Sequence, residues 1–140
     1  MIRAVLDPNV IISAVLSREG SPAEVLRQWL RGEFETIVSP LLLAELSRAL
    51  AYPKLRLRIS AAEADELLEL LSRGATMADD LPGPPPVQSP DPGDDYLINL
   101  ASTNSAVLVS GDHHLLDLRA KLPVFNPADF LNLLREDLPL

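Results

Sequence analysis

The chain has no cysteine, two histidines, one tryptophan, two tyrosines and three phenylalanines in 140 residues. Without cysteine there is no disulfide framework, no thiolate nucleophile and no thiolate metal site. A reducing cytoplasm is the expected setting. No apolar stretch approaches the roughly 20 residues that a membrane span needs. The first residues carry no basic leader, and Asp7 interrupts what would be the apolar centre of a signal peptide. No membrane association is therefore expected.

Basic residues are scarce as well: 12 Lys and Arg face 20 Asp and Glu, for a formal charge of −8. A general nucleic-acid binder usually shows a basic patch, so this balance weighs mildly against one. It does not exclude a metal-dependent nuclease, which must gather carboxylates at its centre.

Hydrophobic residues make up 47% of the chain, ordinary for a folded globule and too many for disorder. The length suits one domain, residues 1–140, with no internal repeat. Ile2–Leu6 reads as a short buried strand ended by Asp7-Pro8. A helix over Asn9–Leu16 follows. SPAE then sets Ser21 as an N-cap, Pro22 at the first helical position and Glu24 three after the cap, for a helix running to Gly32. Thr36–Val38 reads as a strand. Ser39-Pro40 starts a helix whose apolar face is Leu41, Leu42, Leu46 and Leu50, and Pro53 ends it. Arg56–Ile59 has no clear assignment. Ser60 and Glu63 form a capping box for a helix to Gly74, and Ala75–Met77 follows as a short strand.

Asp79–Gly93 holds six of the thirteen prolines and reads as a stiff, extended loop within the domain. Asp94 and Asp95 start a helix through Leu100, followed by a strand at Ala106–Val109, a turn at Ser110-Gly111-Asp112 and a short helix over His113–Arg119. Val124-Phe125 is a last strand, and Asn126-Pro127 with Asp129 opens a helix to Leu134. Short apolar strands alternating with capped helices indicate the α/β class with a mainly parallel sheet.

In such sheets, polar residues just past the carboxyl ends of strands line the binding crevice. Asp7 and Asp112 share that address, and Asp94 and Asp95 sit at a helix start. Glu45 lies within LLLAELSRAL, in a helix that otherwise looks buried, and a buried carboxylate needs a partner. Converging acids repel: at ~4 Å and an effective dielectric of ~20, each pair costs roughly 4 kcal/mol. Either some are protonated or a cation sits among them. All-oxygen ligands suit Mg²⁺ or Mn²⁺ better than zinc. Each acid alone also has a plain reading, as a turn residue or a helix-start acid.

DPNVIIS at Asp7, AEL at Glu45, DPGDDYLINLA at Asp94-Asp95 and VSGDHHLL at Asp112 are together similar to the four acidic motifs of the PIN-domain ribonucleases. The nearest resemblance is to VapC-like toxin components of toxin–antitoxin pairs, and it covers nearly the whole chain, ELSRALAYPKL included. It implies a three-layer α/β/α, Rossmann-like domain with a catalytic quartet of Asp7, Glu45, Asp95 and Asp112 holding Mg²⁺ or Mn²⁺. Asp95 is preferred to Asp94 because Ile98 and Ala101 follow it at the family's helix spacing, with Asp94 assisting. Asn9 and Ser110 match supporting polar positions. The implied activity is RNA phosphodiester hydrolysis, with an antitoxin partner and a homodimer. One position departs: a small residue, usually Thr, follows the first aspartate in the family, and here it is Pro8, which removes an N–H and a hydroxyl.

Other residues have two readings. Lys54, Arg56 and Arg58 alternate with leucines and can meet an RNA backbone or simply line a solvated edge. Tyr52 and Tyr96 can stack on a base or pack at the rim. Trp29 belongs to the core or to a dimer interface. His113 and His114 read as partly exposed residues opening a helix. Two alternative functions stand beside the nuclease. One is a PIN-like module that binds RNA or protein without cutting. The other is a haloacid-dehalogenase-type phosphatase, which would want a second acid where Asn9 stands and a lysine near Asp112.

Overall fold

Arg3–Leu6 forms β1, whose last three residues are buried, and it lies at the centre of a five-stranded sheet. The computed structural model describes residues 1–137, so the last three positions of the expected domain lie outside the described residues. The other strands are β2 (Glu35–Val38), β3 (Thr76–Met77), β4 (Val107–Val109) and β5 (Val124–Phe125). Their order is β3-β2-β1-β4-β5 and every pairing is parallel. The expected α/β class is therefore met by a wholly parallel sheet, as strands joined through helices require.

The helices are α1 (Pro8–Leu16), α2 (Ser21–Leu30), α3 (Pro40–Leu50), α4 (Pro53–Arg56), α5 (Ala61–Gly74), α6 (Asp95–Thr103), α7 (His113–Leu116) and α8 (Pro127–Asp137). Several boundaries follow directly from local chemistry. Ser39 caps α3 by accepting from the Leu42 N–H at 3.2 Å. Ser60 and Glu63 exchange side-chain-to-backbone bonds of 3.1 Å each, completing the capping box of α5. At the end of α2, Gly32 takes φ +79°. Its N–H bonds the Trp29 carbonyl while the Glu33 N–H reaches back to Gln28, the paired closure that only a left-handed residue permits.

Other boundaries differ from expectation. The cap of α2 is Gly20, because the Glu24 N–H bonds the Gly20 carbonyl and draws Ser21 into the first turn. Pro53 takes the first position of a new short helix, α4, which includes only Arg56 of the unassigned Arg56–Ile59 stretch; Leu57–Ile59 follow as a turn and a bend. The helix expected over His113–Arg119 stops at Leu116 and continues as turns. Residues 79–91 form the expected loop, which closes in a 3-10 turn at Pro92–Asp94.

The core runs along both sides of the sheet. Leu6, Ile11, Ile37, Leu42, Leu46, Leu71, Leu97, Ile98 and Phe130 are at most 2% exposed. Replacing a leucine such as Leu46 by alanine would cost about 2–5 kcal/mol through lost burial and the cavity left behind. Phe130 of α8 meets Phe34 edge-on, with ring centroids 4.9 Å apart. Trp29 is part of this core: Gly74 leaves room for its indole, since a β-carbon there would stand 3.1 Å from the ring.

The sheet order places a topological switch between β1 and β4. From β1 the chain builds outward to β2 and β3, then returns to lay β4 on the other side. Loops at such a point diverge and leave a crevice at the carboxyl ends of the strands.

Candidate active site

Asp7 ends β1 and caps α1. Its Oδ1 accepts from the Asn9 N–H at 3.0 Å, and its backbone N–H is spent on Val109 of β4. Pro8 takes the first helical position, where its missing N–H costs nothing. The departure at Pro8 therefore leaves Asp7 fully held. Ser110, just past β4 and entirely buried, donates its hydroxyl to Asp7 Oδ2 at 2.8 Å and accepts from the Asp112 N–H at 3.0 Å. One hydroxyl thus ties together the ends of two adjacent strands. Asp112 in turn caps α7, accepting from the His114 N–H at 2.9 Å.

Glu45 points in from the middle of α3 and accepts the Tyr96 hydroxyl proton. Tyr96 is the residue whose part was least visible in the sequence: a tyrosine just after a helix-opening acid pair reads as rim packing. Burial, then the bond to Glu45, pushes its hydroxyl far above the ordinary range, so it stays a donor.

The two neighbouring aspartates separate. Asp95, the first residue of α6, turns to the proline-rich span and accepts from the Ser89 N–H at 3.0 Å. Asp94 makes no capping bond and lies within the electrostatic reach of Asp7, Asp112 and Glu45. Of the two, Asp94 is the one whose carboxyl feels the charges of the other three acids, whereas the expected Asp95 is engaged by the Ser89 N–H.

Two of the four acids, Asp7 and Asp94, feel the charges of the others. Burial raises the Asp7 carboxyl above its ordinary value of 3.8, and the charges of Glu45 and Asp112 add to this against the hydrogen bonds from Asn9 and Ser110. Asp94 is pushed up to about 7, first by burial and then by the charges of Asp7, Asp91, Asp112 and Glu45. Among the described residues no lysine or arginine forms an ion pair with any of these four acids. Carboxylates within electrostatic reach of one another, short of positive charge and built of oxygen donors alone, suit a hard divalent cation.

The PIN domain family model matches residues 3–114, from the start of β1 to the histidines after Asp112. The chain belongs to the PIN domain family. Uncharacterized protein MJ1680 of Methanocaldococcus jannaschii is 28% identical over 119 residues, which cover 84% of this chain and 76% of that protein. Three solved structures share the fold. PAE2754 from Pyrobaculum aerophilum superposes with a TM-score of 0.64 at 16% identity, covering 97% of this chain and 91% of that one. VapBC2 from Rickettsia felis, bound to a DNA fragment from its promoter, gives 0.61 at 15% identity over 89% and 98% of the two chains. FitAcB from Neisseria gonorrhoeae gives 0.55 at 18% identity over the same shares, 89% and 98%.

Beside the acids, this PIN domain opens a groove of about 550 Å³ lined by Asn9, Ser13, Ser21, Asp112 and Asn126. The Asn126 Oδ1 is held by the Asp129 N–H at 2.7 Å. The basic residues after Pro53 lie elsewhere. Arg58 donates to the carbonyl of Leu16, at the far end of α1 from Asp7 and about 13.5 Å away by helical rise. Lys54 is exposed and Arg56 half-buried on the short α4. None of the three is brought to the carboxylates. No helix among the described residues is long and apolar enough to cross a membrane.

Proposed function

We propose that this PIN domain is an endoribonuclease dependent on Mg²⁺ or Mn²⁺, acting as the toxin of a toxin–antitoxin pair. The observation that supports the reading is the mutual electrostatic reach of Asp7, Glu45, Asp94 and Asp112 near the switch point of a parallel sheet, with no ion pair to a lysine or arginine among the described residues. These four residues would hold the ion, with Asp94 in the place the motif spacing gave to Asp95. When bound, the cation would neutralise them, polarise the phosphate and lower the pKa of a coordinated water.

The chain's own residues prepare that chemistry. Ser110 fixes the rotamer of Asp7 and, through the Asp112 N–H, the start of α7. Tyr96 holds Glu45 toward the cluster. Asp95 anchors the proline-rich span against the start of α6, so that Asp94 stays in place. Asp94 keeps its proton near neutral pH in the cation-free protein, so cation uptake would release it. The groove offers Asn9, Ser13, Ser21 and Asn126 among apolar lining residues, a surface that suits single-stranded RNA, whose base and ribose edges are open to hydrogen bonding. The resemblance of the acidic motifs to VapC-like toxins supports an antitoxin partner and a homodimer, for which the exposed Leu30, Leu57 and Leu70 offer apolar contact surface.

The test is incubation of the purified protein with a mixed RNA pool and Mn²⁺, beside Glu45→Gln. Cleavage by the parent and none by the variant is expected. RNA that binds but stays whole with both proteins would overturn the nuclease reading in favour of a binding module.

A further inference from the structure

His113 and His114 are not used by the chemistry proposed above. They open α7 directly after Asp112, His113 exposed and His114 half-buried, with ring centroids 4.2 Å apart. Neither imidazole makes a hydrogen bond with a described residue, apart from the 3.9 Å approach of His113 Nδ1 to Asp112 Oδ1. One ligand atom from each of Asp112, His113 and His114 lies within 4.8 Å of the other two. Two imidazole nitrogens and one carboxylate oxygen, with open positions for water, make a donor set that suits Zn²⁺ and its transition-metal neighbours and suits Mg²⁺ poorly. The histidines are free to close the remaining gap, because their side chains are held by nothing else. The negative charge of Asp7, Glu45 and Asp94 nearby would draw cations toward this edge.

We propose that Asp112, His113 and His114 form a second cation site, selective for Zn²⁺-like ions, that competes with the carboxylate quartet for Asp112. A Zn²⁺ ion held on the histidine side draws the Asp112 carboxylate away from Asp7 and removes one arm of the hydrolytic site. Such an ion is an inhibitor that does not need to fill the quartet. The zinc site stands on the three side chains alone, whereas its inhibitory role rests on the nuclease reading.

Zn²⁺ alone is titrated calorimetrically into the full-length, cation-free protein and into the doubly substituted variant H113A/H114A. The expected result is about one Zn²⁺ per chain, with affinity at least tenfold weaker in the variant and Mn²⁺ affinity unchanged in both. Equal Zn²⁺ affinities would overturn the site. RNA cleavage in Mn²⁺ is then measured against added Zn²⁺, with inhibition expected to need at least tenfold more Zn²⁺ in the variant. Weakened Zn²⁺ binding with undiminished inhibition would overturn the competitive role. Absence of cleavage in every cation would sink the nuclease reading, while the calorimetry would still decide the zinc site.

Discussion

Acidic side chains are treated in two opposite ways in this molecule. On α2, Glu24 accepts from Gln28 and from Arg27 at 2.7 Å, with Arg31 close by, and these contacts hold its carboxyl below the ordinary range. At the edge of β2, Glu35 accepts from Thr76 and pairs with Arg3 at 3.0 Å, and it too is lowered. At the switch point the sense reverses: Asp7 and Asp94 are raised, and their neighbours are other acids. Where the protein needs an acid only for structure it supplies the countercharge from its own sequence. Around Asp7 and Asp94 it supplies no such countercharge from the described residues.

The largest way to break this contrast is Asp7→Asn. It removes the buried member of the cluster, and RNA cleavage should fall on the order of 100-fold or more, beyond the usual loss from an outer residue. Mn²⁺ should raise the melting temperature of the parent and fail to raise that of the variant, as a melting curve would record. An equal gain in both proteins would remove Asp7 from the cation site.

Next comes the pair of neighbours. Asp94 titrates near 7 when folded against 3.8 ordinarily, so between those values the folded chain keeps a proton that the unfolded chain has released. The cation-free protein should therefore lose stability as pH rises from about 4 to about 7, with Asp7 adding in the same sense. Denaturant titration across that window should show a shallower slope in Asp94→Asn and an unchanged one in Asp95→Asn. The reverse ranking would return the ligand role to Asp95.

A smaller effect is expected from Tyr96→Phe, which keeps the ring and deletes the bond to Glu45. Mn²⁺ affinity should weaken about tenfold, as for loss of an orienting partner, with little change in melting temperature. Smallest of all is Glu24→Gln on the compensated side. It should cost a little thermal stability and leave the response to Mn²⁺ unaltered, because exposed ion pairs contribute little.

Much of this arrangement is legible in the sequence, for reasons that are local. Strand β1 ending at an aspartate, the Ser-Pro start of α3 and the Ser60–Glu63 box are each set by residues within a few positions of one another. The addresses of Asp7 and Asp112 follow from the parallel topology. The choice between Asp94 and Asp95 does not, because it turns on contacts such as the Ser89 N–H bond to Asp95, which neighbouring residue types alone do not disclose. The partnership of Tyr96 with Glu45 is likewise beyond local reading, since it joins residues 51 apart. The alternation of Lys54, Arg56 and Arg58 with leucines left RNA contact and a solvated edge both open; Pro53 starts a short helix there and Arg58 donates to the Leu16 carbonyl at the end of α1.

The chain crosses the sheet once between its two halves, through the proline-rich span that joins β3 to α6. Cut there, the protein would divide into one fragment carrying Asp7 and Glu45 and another carrying Asp94 and Asp112. Neither piece would own a working centre, and only the zipping of β1 against β4 could restore it. The proposed hydrolytic centre would therefore depend on that one seam, and a split pair of fragments would report directly on its closure.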